Sequence, residues 1–329
     1  MHRRLLAALA VVAALVHAAH AQAPDRSWTP PRTPWGDPDL QGVYTNSNEY
    51  GTPLERPAEF AGRRLDEVTA EELARVRAEA TGRAVAALQG GEVRGPDDWW
   101  LPLLDLARRN QPWLIVDPPD GMLPALTPRA AERLEGRRVR SSFAGGPFDG
   151  PEDLGSLERC ISRGVPASMI PVMYGNSYQF LQAPGYVVIT YEIVHEARVI
   201  PLDGRPHVGA AIRAHMGDAR GHWEGDTLVV ETTNVTPLLA YRNANPATLT
   251  VTERFTRAAQ NRVEWTATLE DPNTWTRPWT IAMPLIADAH PIYAFDCHEH
   301  NHGLRNILRA ARAADAASQA PEPSPSRAR

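Results

Sequence analysis

Residues 262–270 read Arg262-Val263-Glu264-Trp265-Thr266-Ala267-Thr268-Leu269-Glu270, and their alternation decides the fold class. On an extended chain Val263, Trp265, Ala267 and Leu269 share one face, while Glu264, Thr266, Thr268 and Glu270 share the other. A helix would scatter both sets around its circumference, so this is a strand with one buried and one solvated or cavity-lining face. The same period recurs on both sides, in 227–233 (TLVVETT), 249–256 (LTVTERFT) and 278–284 (PWTIAMP). Residues 186–200 (YVVITYEIVHEARVI), dense in β-branched and aromatic side chains, read as one long strand. Short connections without intervening helices imply an antiparallel sheet. Such a run of strands leaves open edges unless the sheet curls or pairs, so the sequence predicts a mainly β protein built on an antiparallel β-barrel of calycin or lipocalin type, over residues 151–317.

Residues 1–21 have the form of a secretory signal peptide: Arg3 and Arg4, an apolar run from Leu5 to Val16, then Ala19-His20-Ala21 before Gln22. The expected location is therefore periplasmic or secreted. No later stretch approaches the roughly 20 apolar residues of a membrane-spanning helix. Residues 22–60 are rich in proline, glycine and aromatic residues and read as an irregular surface arm. Thr69-Ala70-Glu71-Glu72 is a capping box opening a helix to about Leu88, and Thr127-Pro128 opens a second helix. Residues 22–150 are thus expected to form a helical and irregular wrapping, followed by the barrel. A short helix over 304–317 and a disordered tail over 318–329 complete the reading.

Composition excludes several functions. All 34 basic residues are arginine, which removes Schiff-base lysine chemistry and the lysine-bearing phosphate loop. The formal net charge of −5 becomes −7 once Arg3 and Arg4 leave with the leader, and no basic stretch offsets it, so nucleic acid is not an expected partner. Among residues beyond the leader, histidine occurs only between His195 and His302, which makes the β region the chemical half. The two cysteines, Cys160 and Cys297, are expected to pair in an exported chain, with buried thiols or Cys297 as a metal ligand as the alternatives.

Three clusters carry candidate chemistry. Asp296-Cys297-His298-Glu299-His300-Asn301-His302-Gly303 would, if extended, place His298, His300 and His302 on one side, as for a shared zinc ion. His298 and Glu299 can equally act as an acid/base pair, and the segment can simply cap the helix that follows. In Tyr191 to Arg198, alternation puts Tyr191, Ile193 and His195 on one face and Glu192, Glu196 and Arg198 on the other; a one-residue slip would exchange His195 for the two glutamates. Facing inward, His195 suits proton transfer, and in the core it is merely a hydrogen-bonded histidine. The third cluster runs from His207 to Asp226: Arg213 can hold developing negative charge, and Asp218 can orient a histidine or take a proton. Asp226 reads as a turn residue. Asn176, Tyr178, Tyr191 and Trp223 are candidate pocket walls. The G-x-S-x-G nucleophile elbow, G-x-G-x-x-G and C-x-x-C are all absent.

The phrases PWGDPDLQGVY (34–44), LIVDPPDG (114–121), RCISRG (159–164), VHEARVIPLDGRPH (194–207), GHWEGDTLVVETTN (221–234), TERFT (252–256), EDPNTWTRPWT (270–280) and CHEHNHGLRNILRAAR (297–312) together resemble a family of exported bacterial proteins frequent in soil organisms. The resemblance spans nearly the whole chain after the leader and implies no particular activity. In that family the last phrase often reads C-H-E-G-N-Y-G, which matches His298, Glu299 and Asn301 but not His300 or His302.

The expected function is a cofactor-independent acid/base enzyme of lyase, isomerase, cyclase or hydratase type, acting on a small, largely apolar organic molecule in a barrel pocket. His195 and His298 would exchange protons, Asp218 or Glu299 would orient one of them, and Arg213 would stabilise developing charge. A non-catalytic ligand-binding barrel and a metal-dependent hydrolase using His298, His300 and His302 are the alternatives.

Overall fold

Alternation like that of residues 262–270 propagates through one ten-stranded antiparallel sheet. The computed structural model describes residues 28–89, 111–136, 146–299 and 301–319. Its strands are β1 (Gly42–Thr45), β2 (Ile115–Asp117), β3 (Ser177–Ala183), β4 (Tyr186–Tyr191), β5 (Ala197–Pro201), β6 (Asp218–Glu224), β7 (Thr227–Thr233), β8 (Thr250–Ala259), β9 (Arg262–Glu270) and β10 (Trp279–Ala287). They lie in the order β5-β4-β3-β1-β10-β9-β8-β7-β6, with β2 also paired to β10. The two ends of that order approach each other without a ladder. A Cβ on Gly221 of β6 would stand 2.8 Å from Ile200 Cγ2 and 2.7 Å from Leu202 Cδ2, so glycine there lets the two ends approach without moving those side chains. The sheet is therefore a nearly closed barrel with one seam, between β5 and β6.

Strands β7 and β9 match the sequence reading to the residue, and the two ends of the wrapping helices are built as expected. In α1 (Ala70–Gln89) the Thr69 amide donates to Glu72 Oε2 at 2.9 Å and the Glu72 amide donates to Thr69 Oγ1 at 3.2 Å, completing the capping box. In α2 (Pro128–Leu134) Thr127 accepts from the Ala130 amide and Pro128 occupies the first turn. The C-terminal helix α3 (His302–Ser318) is capped by Asn301, whose Oδ1 accepts from the Leu304 amide at 3.1 Å. Among the described residues no helix is long and apolar enough to cross a membrane. Residues 1–27, which include the expected leader, and the tail from residue 320 lie outside the described residues.

Two features differ from the sequence reading. Residues 186–200 are not one strand but the antiparallel pair β4 and β5, with Val188 opposite Val199 and Thr190 opposite Ala197. The chain reverses through Ile193–His195, where Val194 and His195 adopt φ of 63° and 54°. Left-handed backbone at a β-branched residue is costly, and neither glycine nor proline marks the turn, so composition hides it. The second difference is that the wrapping contributes to the barrel: β1 lies between β3 and β10, with Tyr44 opposite both Tyr178 and Ala287. A four-residue strand, GVYT, is too short for its period to announce it.

Aromatic side chains fill the interior. Tyr178, Phe180, Phe255, Trp265 and Trp279 are each at most 1% exposed. Phe180 meets Tyr44 edge-on at 5.7 Å and Phe255 at 5.4 Å between ring centroids, the geometry that aromatic quadrupoles favour. Full burial of one such side chain contributes about 1.5–3 kcal/mol. A single ionic element crosses this interior among the described residues. Arg198 Nη2 lies 2.6 Å from Glu253 Oε2 and donates to Thr232 Oγ1 at 3.0 Å, Arg198 Nη1 donates to the Tyr191 hydroxyl at 3.1 Å, and Trp265 Nε1 donates to Glu253 Oε1 at 3.2 Å. Arg198 and Glu253 are 3% and 0% exposed, a burial that charges tolerate only when paired and hydrogen-bonded.

Candidate functional site at the barrel seam

Loops from all three chemical clusters converge beside the seam. A disulfide joins Cys160 to Cys297 across 137 residues, with Cα atoms 5.7 Å apart, and no described cysteine is free. The Asn301 amide donates to the Glu158 carbonyl at 2.8 Å, so the segment around His298 is fixed to the RCISRG loop from both sides. Tyr174 stacks on Phe295 with ring centroids 6.1 Å apart, and a Cβ on Gly175 would stand 3.0 Å from Ile193 Cβ. The turn carrying His195 therefore shares a rim with residues 158–164, 172–176, 293–299 and 301.

At this rim the unpaired edges of β5 and β6 leave a cleft of about 360 Å³, whose walls include Glu196, Arg198, His215, Met216 and Asp218. Glu196 is half-buried and accepts from the Ser162 hydroxyl at 2.6 Å. Burial pushes its carboxyl above the ordinary glutamate range, more than the Ser162 hydrogen bond and the neighbouring His215 pull it down. Ser162 is itself 0% exposed and accepts from the Gly164 amide at 3.0 Å, so it holds Glu196 in place rather than presenting a nucleophile. Asp218 goes the other way. Burial raises its pKa, but hydrogen bonds from the Val208 amide (2.9 Å), His207 Nδ1 (2.8 Å) and Arg220 Nη1 (2.6 Å) outweigh it and hold the carboxyl below the ordinary aspartate range. Two carboxylates in one cleft with opposed shifts are the arrangement in which one group carries a proton while the other stays ionised.

The residues singled out from the sequence occupy varied places. His195 and His298 are exposed at the rim, as is Glu299. Asp218 lines the cleft and is hydrogen-bonded to His207 rather than to His195 or His298; His207 Nε2 is also 3.1 Å from Glu231 Oε1. Arg213 donates through Nη1 to the carbonyls of Val235 and Pro246 and so braces the 233–249 loop. Asn176 is buried with its amide paired to the Val172 backbone in both directions, at 2.8 and 2.6 Å. Tyr178 and Tyr191 are barrel interior: Tyr178 donates to Asn46 Oδ1 at 3.1 Å, and burial raises both phenols, that of Tyr191 to about 12. Trp223 is half-buried against the core, its Nε1 without an acceptor among the described residues. The Asp226 turn is as read, with the carboxylate accepting from Arg32.

Cys297, held in the disulfide, is not available as a thiolate ligand. His300 lies outside the described residues, so the alternating histidines are not described as a set, and among the described residues no group of three or more His, Cys, Asp or Glu has metal-binding geometry. Sequence reasoning did not commit to Glu196, Ser162 and His215. The signal for Glu196 was present, since it belongs to the opposite parity of residues 191–198, but its burial depends on a turn with no local mark. Ser162 carried no signal. A second recess, of about 800 Å³, lies between residues 64–73 and 111–119, with Leu65, Leu73, Trp113 and Ile115 in its walls; Arg64 and Asp66 there pair with each other at 2.6 Å.

No protein-family model, curated protein or solved structure matches the chain.

Proposed function

We propose that the chain is an exported, cofactor-independent acid/base enzyme, of the bacterial family its phrases resemble, that works on a small organic molecule held at the barrel seam. The observation that carries this reading is the cleft in which Glu196, raised by burial, stands with Asp218, lowered by three donors. Glu196 and His215 exchange protons with the substrate, and the Ser162 hydroxyl holds Glu196 in position. His195 and His298, exposed on the same rim, pass protons between the cleft and solvent. The aromatic interior favours this location over the barrel lumen, since Tyr178, Phe180, Phe255 and Trp265 occupy the space a lumenal ligand would need. Proton abstraction next to an electron-withdrawing group is the step that lyase, isomerase, cyclase and hydratase reactions have in common.

The test is hydrogen–deuterium exchange. The protein is incubated in D2O with a panel of small ketones, enones and hydroxy acids, and loss of C–H signals is followed by NMR. Catalysed exchange is expected for at least one compound, falling by about 100-fold or more in Glu196→Gln. Exchange that is unaffected in Glu196→Gln would refute the assignment.

A second reading, ligand binding without catalysis, is favoured by the apolar walls of the 800 Å³ recess. Binding of an apolar dye that is abolished by Leu73→Arg, with no exchange activity at the seam, would select it.

A further inference from the structure

Strand β5 ends the sheet with a main-chain edge that nothing in the barrel answers. In an antiparallel strand, successive residues turn their N–H and C=O groups to opposite sides. The Tyr191 amide donates to the Glu196 carbonyl at 2.8 Å and the Leu202 amide donates to the Gly185 carbonyl at 2.9 Å, so the even-numbered residues from 196 to 202 face β4. Ala197 and Val199 therefore turn their N–H and C=O groups to the seam, where β5 has no ladder partner and no main-chain bond to β6 among the described residues. Both residues line the cleft and both are exposed, Val199 at 58%. Pro201, next on that side, has no N–H to offer. The free edge thus consists of two donors and two acceptors, spaced as one strand presents them to another.

Resting on the seam cleft as the working site, we propose that the ligand it takes is a short extended peptide, bound by its main chain to the edge of β5 at Ala197 and Val199. Strand addition to an open edge takes affinity from main-chain hydrogen bonds and specificity from alternate side chains. The barrel sets the length. The approach of Ile200 and Leu202 to Gly221 closes the seam just beyond Val199, so only about three ligand residues, opposite 197 to 199, can pair. A volume of about 360 Å³, near the lower end of ligand pockets at roughly 300–1,000 Å³, agrees with that length. Parity then selects side chains. The ligand residue opposite Val199 shares its outward face and packs on that exposed side chain, which favours an apolar residue. The ligand residue opposite Arg198 points inward, as Arg198 itself does at 3% exposure, and only glycine or alanine fits against a filled interior. Charge discriminates as well: Glu196 and Asp218 line the cleft and Arg198 is matched by Glu253 at 2.6 Å, so an acidic peptide meets no free cation there. The ligand end at Ala197 lies next to Glu196, the carboxyl of the proposed reaction.

The experiment follows backbone amide resonances of the nitrogen-15-labelled protein during titration with N-acetyl-Val-Gly-Val-amide. A second titration uses its depsipeptide analogue, in which an ester replaces the Gly–Val amide and removes the N–H aimed at the Ala197 carbonyl. The expected result is a saturable shift of the Ala197 and Val199 amides with slowed exchange with water, and a dissociation constant about fivefold or more higher for the depsipeptide. Val199→Pro removes a donor that the β4 ladder does not use and should abolish the response at Ala197. The depsipeptide comparison is made on the wild type and stands even if that variant does not fold. Shifts confined to the 214–219 amides, with Ala197 and Val199 unmoved, would overturn the strand edge as the recognition element while leaving the cleft as a binding site. Equal affinity for peptide and depsipeptide would overturn main-chain pairing. No response to the peptide at any amide would overturn the ligand class, whereas the acid/base reading stands or falls separately on the exchange assay with Glu196→Gln.

Discussion

Glu253 and Glu196 are carboxylates near the same arginine, the first in contact with Arg198 and the second two residues before it on the chain, and they live in opposite environments. Glu253 is completely buried, faces Arg198 at 2.6 Å and accepts from Trp265 Nε1. Glu196, two residues before Arg198 on the chain, is half-buried, has the Ser162 hydroxyl as its hydrogen-bond donor and faces a cleft rather than a cation. The difference teaches where this barrel keeps stability and where it keeps reactivity. In the interior the Arg198 and Glu253 charges answer each other among packed aromatic rings. At the seam, where β5 and β6 fail to pair, polar groups are held with capacity left over.

The strongest way to break that comparison is to unmatch the interior. Arg198→Met leaves Glu253 buried and uncompensated and should cost about 3–5 kcal/mol in urea unfolding, while Arg198→Met combined with Glu253→Leu should recover much of the loss. If the double variant is no more stable than the single one, the pair is not the isolated, matched element described here. Trp265→Ala should cost a similar amount, about 3–5 kcal/mol, from lost burial and the cavity left behind. Trp265 is remote from the cleft wall, so its substitution leaves the seam untouched.

A somewhat smaller effect is expected at the staple. Replacing both Cys160 and Cys297 with serine should lower stability by roughly 2–5 kcal/mol. It should also free the RCISRG loop, visible as faster hydrogen exchange of the Gly164 amide, which donates to Ser162 Oγ. An unchanged Gly164 exchange rate would show that the disulfide does not position Glu196.

Smaller again are the pH effects, and their signs differ between the two cleft carboxylates. Glu196 has a raised folded pKa, so its contribution to stability is fully present below the unfolded value near 4.5 and is lost as pH rises through the folded value. The groups bearing on it are Ser162 and His215, with Asp218 across the cleft. Glu196→Gln should therefore gain on the wild type in denaturant midpoint as pH is raised from 4 towards 8. Asp218 has a lowered pKa, so its contribution is present above the unfolded value near 3.8 and is lost as pH falls through the folded one. The deficit of Asp218→Asn should accordingly shrink in acid. At the small end, His298→Ala and Glu299→Ala, both at exposed positions, should change stability by no more than about 0.5 kcal/mol.

The sequence disclosed the barrel because burial on one face imposes a period of two that few other structures share. Residues 227–233 and 262–270 could hardly be anything but strands, and Thr69 with Glu72 or Thr127 with Pro128 carry their caps in the order of the residues. What stayed hidden depends on contacts distant in sequence. Nothing in YEIVHEAR marks a reversal at Val194, yet that reversal exposes His195, turns Arg198 inward and leaves Glu196 at the cleft. Tyr178 and Tyr191 looked like pocket walls because aromatic residues line pockets and cores alike; only Asn46 and Arg198, brought in from elsewhere, show which one they serve. The disulfide was legible because a chain that reads as exported, with two cysteines, has one natural pairing.

The measurement closest to the central claim is an NMR titration of the Glu196 side-chain carboxyl in the wild type and in Ser162→Ala. The account predicts a wild-type midpoint above the ordinary glutamate value near 4.5, and a still higher one in Ser162→Ala, because the hydroxyl hydrogen bond favours the ionised form while burial opposes it. A wild-type midpoint at or below 4.5 would contradict it: Glu196 would then be an ordinary solvated carboxylate, and the seam would hold no group poised to carry a proton.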